Sequence, residues 1–171
     1  MSQTPSRKPH LRRQGTAQQL IVDGQPYLML AGEIHNSSSS SLAYMEPIWD
    51  RLAAMGLNTV IAPLYWELVE PKEGQFDFSL LEGLVAGARR RNLRLVLLWF
   101  ASWKNATSSY VPGWVKTDPR RFPRMQLAPG QDSNALSCFG RESQEADARA
   151  FAAVMRRIGE IDAGQRTVLM M

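Results

Sequence analysis

Three short segments concentrate the side chains that could bind a polar ligand or move a proton. They are Gly32-Glu33-Ile34-His35-Asn36, Tyr65-Trp66-Glu67-Leu68-Val69-Glu70-Pro71, and Trp103-Lys104-Asn105. Carboxylates, amides and indoles in one place suit carbohydrate: an aromatic face packs on the apolar side of a sugar ring, while charged and amide groups bond its hydroxyls. The candidate ligand-side residues are therefore Glu33, His35, Trp66, Glu67, Trp103, Lys104 and Asn105. Two carboxylates can also act as general acid and base, but Glu67 and Glu70 are neighbours in sequence only, which does not make them face one another. Plainer roles stay open for several of these groups: Glu70 as an anchor of the Pro71 turn, Glu73 as an exposed turn charge, Trp99 as a core residue, His35 as a hydrogen-bonded structural histidine and Lys104 as a solvated loop charge.

Other chemistries find little support. No Gly-rich phosphate loop follows an apolar run, which argues against nucleotide binding. One cysteine, Cys138, with two histidines, His10 and His35, makes neither an internal disulfide nor a convincing zinc site, so no metal or cofactor is expected. The net charge is +4, yet Arg7, Lys8, Arg12 and Arg13 supply all of it; the remaining chain is neutral. A neutral body argues against a nucleic-acid-binding face, and residues 1–13 are expected to form a disordered basic tail ahead of a domain over 14–171. The longest apolar run, Leu95 to Ala101, is strand-sized, too short to span a membrane. No secretory leader is legible in the polar N-terminus, and a start further upstream would leave export open, so the compartment is not decided.

The elements that position these segments alternate. Gln18 to Val22 and Gln25 to Leu30 flank Asp23-Gly24, a tight-turn signal for a hairpin. Tyr27 to Ala31 is nearly all apolar, as a strand covered on both faces would be. A helix is expected over Leu42 to Met55, in one piece or two because of Pro47, with Ile48, Leu52 and Met55 on one face. A strand over Asn58 to Leu64 follows, then a helix opened by a Ser79-Leu80-Leu81-Glu82 capping box and running to Arg91. Leu93 to Phe100 reads as a third strand. The stretch 101–142 has no convincing periodicity and is long for a connection, which marks it as functional. A helix over about Ser143 to Ile158 should bury Ala148, Phe151, Ala152, Met155 and Ile158, and Thr167 to Met171 begins a fourth strand. Alternating β and α implies an α/β fold with a parallel sheet, either open or closed into a (β/α)8 barrel; against the roughly 250 residues of a full barrel the chain supplies about half. In either case the loops after the strands are where ligands gather.

These same loops resemble a known family. Gly32-Glu33-Ile34-His35-Asn36 is similar to the opening strand motif of glycoside hydrolase family 35 β-galactosidases. Trp66-Glu67-Leu68-Val69-Glu70-Pro71 with Gly74-Gln75-Phe76-Asp77-Phe78-Ser79 resembles their W-x-x-x-E-P, G-x-[FY]-x-F-S signature, shared with the related family 42. Trp99 to Asn105 with Ser109 to Val115 looks like a bacterial branch of family 35. The resemblance implies the N-terminal half of a (β/α)8 TIM barrel, preceded by a β-hairpin and ending at the fourth strand. It further implies a hydrolase of terminal β-galactosides acting by retaining double displacement, with two glutamates about 5 Å apart and no cofactor. In such enzymes the acid/base glutamate follows the fourth strand and the nucleophile ends a later one; no residue here matches either, so the 171-residue chain is expected to be inactive alone. Where many members place a Tyr late in the second strand and Cys-Ala-Glu after the third, this chain has Pro63 and the Ser102 to Asn105 region. Alternatives are a non-catalytic truncated product or sugar-binding remnant, and another retaining glycosidase of the same barrel clan.

Overall fold

The structure, a computed structural model, describes residues 8–104 and 109–171. Strands β1 (His10–Gln14), β2 (Ala17–Val22) and β3 (Gln25–Pro26) form an antiparallel sheet in that order. Asp23 (φ 55°) and Gly24 (φ 78°) occupy the left-handed positions of the β2–β3 turn, as the Asp-Gly signal requires. The expected disordered tail is cut short: Gly15, at φ 61°, turns the chain so that His10 to Gln14 pair with β2. Residues 1–7 lie outside the described residues.

A parallel sheet follows in chain order: β4 (Ala31–Glu33), β5 (Thr59–Tyr65), β6 (Arg94–Phe100) and β9 (Val168–Met170). Helices α1 (Leu42–Ala54), α3 (Ser79–Arg90) and α5 (Arg141–Ile161) connect successive strands. The single turn α2 (Trp66–Val69) continues directly from β5. The expected long apolar strand over 27–31 is not formed. Tyr27 to Leu30 is irregular, with Leu28 77% and Leu30 50% exposed, because Asn58 takes its backbone groups: Leu30 N donates to Asn58 Oδ1 (2.9 Å) and Asn58 Nδ2 to the Leu28 carbonyl (2.8 Å).

Side chains alternate across a strand, and register partners in a parallel pair share a face. Val60, Ala62 and Leu64 of β5 with Leu95 and Leu97 of β6 are buried against the helices. The other face carries a row of Glu33, Ile61, Val96 and Met170, then Pro63 and Leu98, then Tyr65 and Phe100 at the C-terminal ends. Glu33 and Met170 on this second face are exposed, and Ile61, Val96 and Leu98 are half-buried.

The helices are found where periodicity placed them, but some faces are rotated. Helix α1 is continuous through Pro47 and buries Met45, Trp49 and Leu52, while Met55 is 72% exposed. Trp49 lies where Gly87 of α3 has no side chain; a Cβ there would sit 2.6 Å from its indole nitrogen. In α5 the buried line is Ser143, Ala146, Ala150, Ala153, Val154 and Ile158, and Met155 is exposed. Ala146 and Ala150 of this line pack in an apolar core with Trp66 and Ala101, and their weak hydropathy hid the true face. The Ser79–Glu82 capping box is not formed: Ser79 is already inside α3, Asp77 Oδ1 accepts from its amide (2.9 Å), and Glu82 bonds Arg157 Nε (2.8 Å).

The stretch expected to be a long loop holds structure of its own. A turn α4 (Gly113–Lys116) precedes a hairpin, β7 (Arg124–Ala128) and β8 (Gln131–Leu136), reversed at Gly130 (φ 76°). Val111, Val115, Phe122 and Leu136 from this segment join Trp66, Ala101, Ala146 and Ala150 in a second apolar core beyond the C-terminal ends of β5 and β6.

Candidate functional site

The uncovered sheet face ends in aromatic rings. Tyr65 and Phe100, paired in register, meet edge to face at 5.9 Å, and Tyr110 closes on both at 5.6 and 5.0 Å. Lys104 Nζ stands 4.4 Å above the Phe100 ring, a cation held by the ring's quadrupole. The Tyr65 hydroxyl donates to the Asn36 carbonyl (2.6 Å) and lies 3.1 Å from Ser39 Oγ, which itself donates to the Pro63 carbonyl (2.6 Å). Burial pushes the Tyr65 phenol above its ordinary range, so it stays a donor and ties the β4 loop to the end of β5.

Glu33 closes β4 on the same face, in register with Ile61. Ile34 turns into the core at 7% exposure, and His35, beyond the end of β4, is exposed. Lys104 thus stands over the aromatic floor, and Glu33 lies on the same sheet face nearer the start of β5. Trp103 is 59% exposed beside Lys104 in the chain. Asn105 lies outside the described residues.

Two expected ligand residues are turned elsewhere. Trp66 is fully buried, its Nε1 donating to Glu70 Oε2 (2.7 Å), so its ring cannot serve as a sugar platform. Tyr65 occupies the open face, so its neighbour Trp66, which opens α2, is turned away from it and into the second apolar core. Glu67 pairs with Lys116 Nζ on α4 (2.7 Å), which directs its carboxylate to the α2–α4 seam. Glu70, 1% exposed, anchors the turn: besides the Trp66 indole it accepts from Gly74 N (2.8 Å), and its carbonyl accepts from Trp114 Nε1 (3.1 Å). The W-x-x-x-E-P pattern is therefore a one-turn indole–carboxylate clamp. Glu73, read as a lone turn charge, grips Arg121 through two bonds of 2.8 and 2.7 Å. Trp99 faces α5, bonding Asp147 Oδ1 (2.7 Å) and meeting Phe151 edge to face. Sequence reasoning did not single out Tyr110, in the long connection without periodicity, or Asp147, which lies in the expected helix outside its apolar stripe.

Part of the chain is similar to known proteins. Residues 19–98 match the glycosyl hydrolases of family 35. Over this segment the chain is similar to that family. A β-galactosidase of Xanthomonas manihotis is 45% identical over 76 residues, covering 44% of this chain and 12% of the relative. Beta-galactosidase 11 of Arabidopsis thaliana is 32% identical over 115 residues, covering 60% of this chain and 14% of the relative. The chain thus spans a small part of these family 35 relatives. Among solved structures, the catalytic domain of a β-amylase from Paenibacillus polymyxa superposes with a TM-score of 0.58 at 12% identity, over 78% of this chain and 34% of that one. The exo-β-1,4-mannosidase Op5Man5 from Opitutaceae bacterium strain TAV5 gives 0.53 at 18% identity, over 84% and 24%. At these identities the likeness speaks for the fold alone, an α/β architecture with a parallel sheet. Among the described residues no helix is long and apolar enough to cross a membrane, and no group of three or more His, Cys, Asp or Glu is placed to hold a metal.

Proposed function

We propose that this chain forms the N-terminal half of a (β/α)8 barrel in a retaining β-galactosidase-like glycoside hydrolase, and that its uncovered sheet face is the sugar-facing wall. The observation that supports the reading is the Lys104 cation over the Tyr65–Phe100–Tyr110 floor at the C-terminal ends of β5 and β6, on the sheet face that Glu33 shares one strand away. In this reading Glu33 accepts from sugar hydroxyls, His35 and Lys104 donate to them, and Trp103 offers an exposed ring to an apolar sugar face. Asn105 belongs to the same loop by its resemblance. Trp66 and Glu67 support the loop and do not touch substrate. No residue of this chain is assigned as acid/base or nucleophile.

The test is hydrogen-exchange mass spectrometry of the chain with methyl β-D-galactopyranoside. The sugar should slow exchange in residues 31–36, and Glu33→Gln should weaken that effect roughly 3- to 10-fold, the loss of a charge-assisted bond. Absence of protection at 31–36 at saturating sugar refutes the binding face. A chromogenic β-galactoside should remain uncleaved by these 171 residues; turnover that survives purification would overturn the catalytic assignment.

A further inference from the structure

Consecutive residues of β6 point to opposite sheet faces, so Trp99 opens a different surface from the one floored by Phe100. On the Trp99 side, between the end of β6 and the start of α5, lies a cleft of about 330 Å³ lined by Ser102, Cys138, Ser143, Gln144, Asp147 and Phe151 among others. Two hydroxyls there, Ser102 Oγ and Ser143 Oγ, are buried with no hydrogen-bond partner among the described residues, and Ser143 as a whole is only 3% exposed. Folded proteins leave few buried polar groups unpaired, and such groups call for a ligand or an ordered water. Gly140, the residue before α5, has no side chain to cap the helix, so no side-chain acceptor serves its first-turn amides.

The charge balance narrows what could enter. Asp147 disfavours an anion, despite the helix N-terminus. Both of its oxygens already accept, from Trp99 Nε1 (2.7 Å) and Ser102 N (3.2 Å), which leaves it a poor cation site. A neutral molecule bearing several hydroxyls fits: each can donate to one serine oxygen and accept from another group, and Gln144 supplies an amide. Phe139, next to the lining residue Cys138, is 92% exposed and offers an unused aromatic face at the rim. The volume is at the small end of ligand sites, about 300 to 1,000 Å³, and suits one ring.

We propose that this cleft is a second carbohydrate-contacting site that takes a single uncharged pyranose, separate from the Glu33–His35–Lys104 face. The choice of a sugar over another polyol rests on the glycosidase reading above. Hydrogen-exchange mass spectrometry of the chain with methyl β-D-galactopyranoside separates the two surfaces, because 137–148 reports the cleft and 31–36 the sheet face. Sugar should slow exchange across 137–148, and Ser143→Ala and the surface variant Phe139→Ala should each weaken that effect roughly 3- to 10-fold, with protection of 31–36 unchanged. Protection of 137–148 that neither variant alters, or no protection there at saturating sugar, overturns the inference and identifies the cleft as a water site. Protection confined to 31–36 removes the second site and leaves the proposed function standing. Protection confined to 137–148 supports the cleft and refutes the sheet-face reading.

Discussion

Replacing Glu70 should destabilise the fold through two donors whose environments differ. The Trp66 indole nitrogen sits on a fully buried side chain and bonds Glu70 Oε2 at 2.7 Å; in Glu70→Ala no water can replace that acceptor. Leaving a buried donor unpaired from a charged partner costs about 1.5–3 kcal/mol. Gly74 N bonds Oε1 at 2.8 Å but belongs to an exposed residue, so water recovers most of the loss, leaving about 0.5–1 kcal/mol. Removing a buried carboxylate also removes its desolvation cost, which offsets part of the sum. The net expectation is about 2–3 kcal/mol, a drop in urea midpoint of about 1–1.5 M for a slope near 2 kcal/mol/M. Glu70→Gln keeps an oxygen for the indole but turns an NH2 toward Gly74 N, so it should lose less, about 1 kcal/mol. Urea titration followed by circular dichroism measures both, and a cycle combining Glu70→Ala with Trp66→Phe should show a coupling of about 1–2 kcal/mol. If Glu70→Ala melts within 0.5 kcal/mol of the parent, the clamp does not hold the loop and the reasoning fails.

Three further outcomes are expected. Gly87→Ala should destabilise: its Cβ would lie 2.6 Å from Trp49 Nε1, a clash of about 1–3 kcal/mol that exceeds the roughly 1 kcal/mol gained in helix propensity; a stabilised variant in the same titration contradicts the packing. Asp77→Ala should lower the thermal midpoint while Ser79→Ala leaves it nearly unchanged, because the Asp77 carboxylate caps the Ser79 amide; the reverse ranking would restore the capping box. The twin bonds to Arg121, with the field of that guanidinium, hold the Glu73 carboxyl below its ordinary 4.5. A lowered folded value means stability that is present above the unfolded value and lost as pH falls through the folded one. Arg121→Ala should therefore weaken the protein at neutral pH and converge with the parent toward pH 3; a gap that is constant over pH 3–7 in denaturation experiments contradicts the ion pair's role.

The sequence shows the order of the parallel strands clearly, because segments such as Leu95 to Leu98 are dense in branched aliphatics, and α1 and α3 are closed by Gly56 and by Arg89 to Arg91. The Asp23-Gly24 turn is equally local in cause. What escaped reading depends on partners distant in the chain. Tyr27 to Leu30 is apolar enough for a strand, yet Asn58 claims its backbone. The face of α5 is written in alanines that only distant partners such as Trp66 and Val111 make meaningful. The hairpin of Arg124–Leu136 contains polar strands with weak alternation. Among the candidate site residues, Glu33 and His35 are read from their place after the first strand, whereas no residue type announces that the Trp66 indole is buried on Glu70.

The most direct measurement is a crystal structure of the chain soaked with galactose. The account predicts a pyranose on the uncovered sheet face, its hydroxyls bonded to Glu33 and His35 or Lys104, above the Tyr65–Phe100–Tyr110 floor. A sheet face empty of sugar at saturating concentration, with Glu33 and His35 unengaged, would contradict it.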